Sequence, residues 1–423
     1  MVRPQNPFSA EAPLTIVVAG GGNAAHVLLA LLGSKLKYVV RLWDVVASEV
    51  ETFKSQLAAN RNQMILVDTD VETIGTVECV SADPADVLPG ADLLLLAVPA
   101  FAHEIYLRGA VKVAKGGKLA VGCMVAEGGL DWQLRDIYKE DFPEMITFAL
   151  ETLPWACRLS LYGRASEIKG CKKQVSVAVT PAIYTEGVLD FLNSALSVEG
   201  RPQFQDAGNY MATTLMNING VRSVAPNLRD SIFHPAIVRG QFEQWAGEPY
   251  AEPPPLYGCV TQKVAGALIE ALSAEVILTK EAMCKAVRGV ELASVVPIMD
   301  FFMNAYREDV ADASTLASAL NTNKGYRALQ HSMVLAPGGE GLVPDWKSRH
   351  LTEDIPFGLV PMKGIAELVG VSTPNLDKTI EWCQMKMGKE YLVAGRLVGK
   401  DVCETRCPQR YGICSIAEMV TLA

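Results

Sequence analysis

Gly20-Gly21-Gly22-Asn23-Ala24-Ala25 stands immediately after an apolar, β-branched run, Thr15 to Ala19, and opens directly into a helix-like run, His26 to Leu32. This Gly-x-Gly-x-x-Ala spacing suits a main chain that must hold a pyrophosphate. Gly20 permits a tight turn, Gly22 lets the backbone approach the phosphates, and Ala25 lets helix and strand pack closely. The N-terminus of the following helix then faces the negative charge. Asp44, 22 positions after Gly22 and at the end of a second apolar run, stands where an acid can bond both ribose hydroxyls. That placement favours NAD over NADP, although Arg41 lies close by. Pro99 closes a further apolar run and is expected to turn the chain where the nicotinamide lies. The rival reading is a glycine-rich turn beside an ordinary surface aspartate.

The elements that must position these residues follow an alternation of short apolar runs and longer helix-like segments, the order of a parallel sheet with crossover helices. Strands are expected at Thr15 to Ala19, Val39 to Leu42, Thr76 to Ser81, Leu93 to Val98, Lys118 to Val121, Met145 to Ala149 and Val175 to Val179. Their nearly continuous apolar character suits a sheet covered on both faces. Beyond Ser197 the texture changes. The polar stretch Val198 to Asp206, with Gly200 and Pro202, reads as a domain boundary, so residues 1–200 are expected to form the cofactor domain and 206–423 a second, helical domain. Helices are expected near Gly208 to Ile218, His234 to Trp245, Tyr257 to Val287 and Val295 to Tyr306.

Two domains also suit a chain of 423 residues. With a net charge of −9, nucleic acid is not an expected partner, and an anionic substrate must be held by a local cation. The longest apolar stretch, Leu93 to Ala102, is broken by Pro99 and too short to span a bilayer. Met1 to Pro13 lacks the organisation of a secretory signal, so a cytoplasmic location is expected. Ten scattered cysteines then read as reduced thiols, and Cys403, Cys407 and Cys414 lack the spacing and histidine of a zinc site.

Several longer runs carry a resemblance. Glu151-Thr152-Leu153-Pro154-Trp155-Ala156-Cys157-Arg158, His234-Pro235-Ala236, Leu351-Thr352-Glu353-Asp354-Ile355-Pro356, Gly388-Lys389-Glu390-Tyr391-Leu392-Val393 and Thr405-Arg406-Cys407-Pro408-Gln409-Arg410-Tyr411-Gly412 resemble runs of the invertebrate opine dehydrogenases, octopine-forming members above all. The resemblance implies an α/β N-terminal Rossmann domain, doubly wound with a mostly parallel sheet, followed by an all-helical opine dehydrogenase domain. It also implies NADH-dependent condensation of pyruvate, or another 2-oxo acid, with an amino acid or taurine through an imine, and a monomer.

The same resemblance selects His234 as the acid–base residue, Asp354 as the carboxylate that fixes its tautomer, and Arg349 as the guanidinium that grips the oxo-acid carboxylate. Glu151 matches a carboxylate able to meet the amino substrate. Glu127, Asp230 and Phe301 are expected to line the amino-substrate pocket, where this sequence departs from the octopine-forming members: Leu228 and Asp230 replace a methionine and a tyrosine, Phe301 a tryptophan, and the loop Gly122 to Gly129 is one residue longer. The departures put arginine in doubt and leave alanine, glycine, β-alanine and taurine open.

Each residue also has a structural reading. His234 can serve a helix N-terminus, Arg349 and Asp354 can form a solvated pair, Glu151 can cap backbone, and His103 can cap a helix or position cofactor. Cys157 reads as a buried packing thiol. Two other functions remain open: an NAD-dependent 2-hydroxy-acid or sugar-phosphate dehydrogenase, for which no lysine motif is present, and a non-catalytic NAD-binding redox sensor.

Overall fold

A computed structural model describes residues 7–8, 12–68, 71–114, 119–219, 231–326 and 329–420. The chain divides into two compact units, one of Met1–Ala126 and Leu130–Thr213, the other of Glu127–Gly129 and Thr214–Leu422.

The first unit holds twelve strands among its described residues. They are β1 (Leu14–Ala19), β2 (Tyr38–Trp43), β3 (Gln63–Asp68), β4 (Val71–Thr76), β5 (Cys79–Ser81), β6 (Leu93–Leu96), β7 (Ala120–Cys123), β8 (Thr147–Leu150), β9 (Trp155–Leu161), β10 (Ala165–Cys171), β11 (Gln174–Thr180) and β12 (Gln203–Asp206). Eight build one sheet in the order β12-β11-β8-β7-β6-β1-β2-β5. All neighbours in it run parallel except β8 and β11. Its centre is buried on both faces, with Ile16 to Ala19 and Leu94 to Leu96 fully inaccessible, which is why β1 and β6 are apolar without alternation.

The helix after β1, α1 (Asn23–Gly33), is buried from Ala25 to Leu32. A helix apolar all round needs cover on all sides. It packs on the main sheet and also beneath a second sheet, ordered β4-β3-β10-β9. This second sheet is absent from the sequence expectation. The run expected as one strand from Thr76 to Ser81 divides between the two sheets, β4 ending at Thr76 and β5 beginning at Cys79. The polar stretch Val198 to Asp206 contributes β12, whose backbone pairs with β11, and the division between units falls later, at Thr213.

The second unit is helical apart from a hairpin, Met333–Leu335 with Leu342–Pro344. Its main helices are Phe233–Phe242, Ala267–Ala286, Ile298–Tyr306, Val360–Leu368 and Pro374–Met387. Buried Glu275 on the second of these accepts the Asn375 and Leu376 N–H groups at 2.9 Å each, capping the last. No helix of the described residues is long and apolar enough to cross a membrane.

Candidate cofactor loop and histidine cluster

In the first unit, the chain leaves β1 at Gly20, whose N–H donates to the Trp43 carbonyl at 2.8 Å. Gly20 has φ of +93°, and a Cβ there would lie 2.2 Å from Val98 Cγ1, so only glycine fits. The Gly21 N–H donates to Asp44 Oδ2 at 2.7 Å, and the Val46 N–H to Asp44 Oδ1 at 2.9 Å. Both oxygens of this buried acid are thereby aimed by backbone.

Gly22 is the N-cap of α1, with no side-chain cap and no acid in the first turn; a Cβ built on it meets nothing within 4 Å. An open space at a helix N-terminus beside a fixed acid fits a dinucleotide, with the α1 N–H groups of Asn23, Ala24 and Ala25 available to phosphate and Asp44 to ribose. Pro99 precedes the helix Ala100–Val113 directly, at the carboxyl end of β6.

Two side chains of this loop have other partners. Asn23 Oδ1 accepts the Leu159 N–H at 2.7 Å, which ties the side chain to β9. His26 is fully buried, and burial lowers its pKa to about 4. Its neutral ring therefore has one assignable tautomer: Nδ1–H donates to the Gly22 carbonyl at 3.0 Å, and Nε2 accepts the Gly163 N–H at 2.8 Å. Arg41 turns to Glu78 and to the Val87 and Pro89 carbonyls. His103 bonds the Val98 carbonyl at 3.0 Å, a backbone partner at the end of β6. One oxygen of Glu151 accepts the Ser176 N–H at 3.0 Å, the capping role, and burial pushes the Cys157 thiol up to about 11, which keeps it protonated.

In the second unit the helix Phe233–Phe242 carries His234, fully buried, with Nδ1 2.8 Å from Asp354 Oδ2. Asp354 leads into a π-helical turn, Ile355–Leu359. Gly358 in that turn lies so close to Ser231 that a Cβ would come within 2.1 Å of the hydroxyl, and this approach brings Asp354 to the histidine. The carboxylate accepts the Nδ1–H hydrogen bond and so fixes the tautomer of the ring. Tyr257 Oη stands 3.1 Å from Nε2, while the ring of His350 stacks on His234 at 4.1 Å. Burial, then the positive charge of His234, His331 and Arg349, holds His350 well below the usual histidine range. His331 is lowered to about 4 by the same causes, burial first and His234 second.

Arg349 shares a short helical segment with His350, and its Nε and Nη2 donate to one oxygen of fully buried Glu353 at 2.8 and 2.6 Å. The edge expected to grip substrate is therefore partly used within the protein, and the half-exposed guanidinium presents its remaining N–H groups outward. Phe301 is half-buried; its neighbour Phe302 instead reaches Tyr326, which stacks on Tyr257 at 4.4 Å. Glu127 is buried in left-handed backbone, φ +51°, and the adjoining Gly128 N–H donates to the Phe357 carbonyl at 2.8 Å. Asp230 and Leu228 lie outside the described residues. Tyr257, His350 and Glu353 have no role in the sequence reading; only the four-residue spacing of Arg349 and Glu353 signalled a pair.

The family described as NAD/NADP octopine/nopaline dehydrogenase, alpha-helical domain, matches residues 206–387. Octopine dehydrogenase of Mizuhopecten yessoensis is 35% identical over 412 residues, covering 96% of this chain and 98% of the relative. Tauropine dehydrogenase of Arabella iricolor is 31% identical over 94% of this chain and 98% of its own length. A solved structure of octopine dehydrogenase with NADH and L-arginine superposes with a TM-score of 0.85 at 33% identity, over 96% of this chain and 98% of that one. A Rossmann sheet, a helical second unit and near full-length identity of this size have one explanation: the chain belongs to the opine dehydrogenases, NAD-dependent oxidoreductases acting on CH–NH bonds.

Proposed function

We propose that this enzyme condenses pyruvate, or another small 2-oxo acid, with an amino acid or taurine and reduces the resulting imine, and that His234 Nε2 handles the proton. The observation that carries this reading is the buried His234–Asp354 pair, with Nδ1 held by the carboxylate and Nε2 beside Tyr257 Oη. Loss of water from a carbinolamine needs an acid beside the leaving hydroxyl, and a histidine held by a carboxylate gives up such a proton near neutral pH. When bound, NADH supplies the hydride. In the reverse direction the same Nε2 accepts the proton.

Arg349 holds the oxo-acid carboxylate through the guanidinium edge that Glu353 leaves exposed. Glu127, Glu151, Asp230 and Phe301 are assigned to the amino-substrate side; for Glu127 the support is a buried carboxylate kept in a backbone conformation that glutamate rarely adopts. The enzyme acts in the cytoplasm, a reading supported by ten free cysteines, and as a monomer, a reading that rests on the family resemblance. The test follows NADH absorbance with pyruvate and a panel of arginine, alanine, glycine, β-alanine and taurine, each component omitted in turn. Oxidation only when pyruvate and one amine are both present supports the reading; turnover with pyruvate alone replaces it with hydroxy-acid chemistry.

A further inference from the structure

We propose that the tip of the β9–β10 hairpin is part of the cofactor site, and that Tyr162 acts with Asp44 to select a ribose diol over a 2′-phosphate. Asp44 alone is the acid that sequence assigns to this role.

The hairpin is fastened to the glycine loop at two points. Leu159 N–H reaches Asn23 Oδ1 at 2.7 Å, and Gly163 N–H reaches His26 Nε2 at 2.8 Å, with His26 in turn bonded to the Gly22 carbonyl. Tyr162, between these anchors, is packed against the rings of His26 and Phe53, with centroids 5.4 and 5.6 Å away. Its hydroxyl therefore has a defined place. The point where a Cβ on Gly21 would sit is 2.9 Å from Tyr162 Oη and 2.8 Å from Asp44 Oδ2, so the two oxygens face one small space above the glycine loop.

Glu49, on the helix that follows β2 (Ala47–Ala59), is the carboxylate that acts most on the phenol. With its proton turned toward that carboxylate, Tyr162 Oη offers a lone pair toward the space it shares with Asp44. Burial and the two carboxylates keep the phenol neutral, well above its ordinary range. A vicinal diol brings two O–H donors and matches two acceptor oxygens. A phosphate monoester near neutral pH is largely dianionic, offers few or no donors, and meets Asp44 and Glu49 at close range. The cation nearest in sequence gives no relief, because Arg41 donates Nε to Glu78 and Nη1 to the Val87 and Pro89 carbonyls. Selection thus rests on missing donors and like charge together, the combination that discriminates best.

The test is direct binding, so its outcome is independent of the imine chemistry. Dissociation constants for NADH and NADPH are measured by nucleotide fluorescence on the full chain, without second substrate, for the wild type, Tyr162→Phe and Glu49→Gln. Tyr162→Phe is expected to weaken NADH about threefold to tenfold, the net loss of one hydrogen bond, and to leave NADPH unchanged or tighter. Glu49→Gln is expected to tighten NADPH while changing NADH less. Equal weakening of both nucleotides by Tyr162→Phe means that the hairpin only shapes the loop, and overturns the proposal. If Tyr162→Phe shows no cooperative melting transition, Glu49→Gln on exposed helix surface decides, and an unchanged ratio of the two constants there overturns it equally.

Discussion

The cofactor loop and the histidine cluster are built from different materials. Gly21 and Asp44, the central contact of the loop, are 23 residues apart, and the partners there are backbone N–H groups and one carboxylate. His234 and Asp354 are 120 residues apart; their neighbours are the side chains of Tyr257, from a further segment, and of His350, four residues before Asp354. The first site is made by a turn that only small residues can take; the second exists only when three stretches of chain have already packed. A site of the first kind is broken by adding atoms or moving backbone, and one of the second kind by removing a single side chain.

The sharpest break between the two is His234→Ala. It removes an imidazole whose partners Asp354, Tyr257 and His350 lie in the second unit, so kcat is expected to fall about 10² to 10⁴-fold while the NADH dissociation constant stays within error. Stopped-flow turnover alongside fluorescence titration measures both. Retained kcat makes the Asp354 pair structural. Asp44→Ala is the converse. Loss of a charged acceptor that meets two backbone N–H groups is expected to weaken NADH by about 2 kcal/mol, on the order of thirtyfold, with kcat at saturating NADH little changed. An unchanged dissociation constant would take Asp44 out of the ribose site.

A smaller effect separates the two regions by pH. His26 has a pKa of about 4 in the folded chain against about 6.5 when unfolded. Above pH 6.5 both states are neutral and the group is silent. As pH falls from 6.5 toward 4 the unfolded chain takes up a proton that the buried ring refuses, so folding stability is lost with acid, about 2 kcal/mol between pH 7 and 5. His331, also lowered to about 4, adds a loss of the same sign. Urea unfolding of wild type and His26→Gln at pH 7 and 5 measures the His26 share. An identical pH slope in the two proteins would mean that the staple between Gly22 and Gly163 is not a neutral histidine.

These differences also set what could be read from sequence. β1, β2 and β6 announce themselves as uninterrupted apolar runs because both of their faces are covered, and the glycine spacing follows at once. The small sheet gives no such signal: β4 is mostly exposed, and β10 carries Glu167 and exposed Lys169 among its apolar positions. With that sheet unseen, the anchoring roles of Asn23 and His26 could not be inferred, and Asn23 read as a cofactor ligand. At the histidine cluster, family resemblance picked out His234 and Asp354, but Tyr257 and His350 are neighbours only through tertiary packing. Arg349 was the opposite case. Its partner Glu353 lies one helical turn away, a spacing that sequence shows, yet the ion pair weighed as the rival to substrate binding was with Asp354.

That assignment gives the smallest and most discriminating effect. Glu353 fixes the Nε edge of Arg349 at 2.6 to 2.8 Å, so the outward edge is pre-aimed and little rotamer entropy is left to lose on binding a carboxylate. Arg349→Lys keeps the charge but loses the fork, and is expected to raise KM for the oxo acid about tenfold, roughly 1.4 kcal/mol, with NADH affinity unchanged. Glu353→Gln keeps the shape and releases the guanidinium, and is expected to raise the same KM by less. Both shifts must appear in the oxo-acid KM and in neither the amine KM nor the NADH dissociation constant. If Arg349→Lys instead weakens NADH, the guanidinium serves the nucleotide phosphates, and the carboxylate-holding cation has to be sought elsewhere in the helical unit.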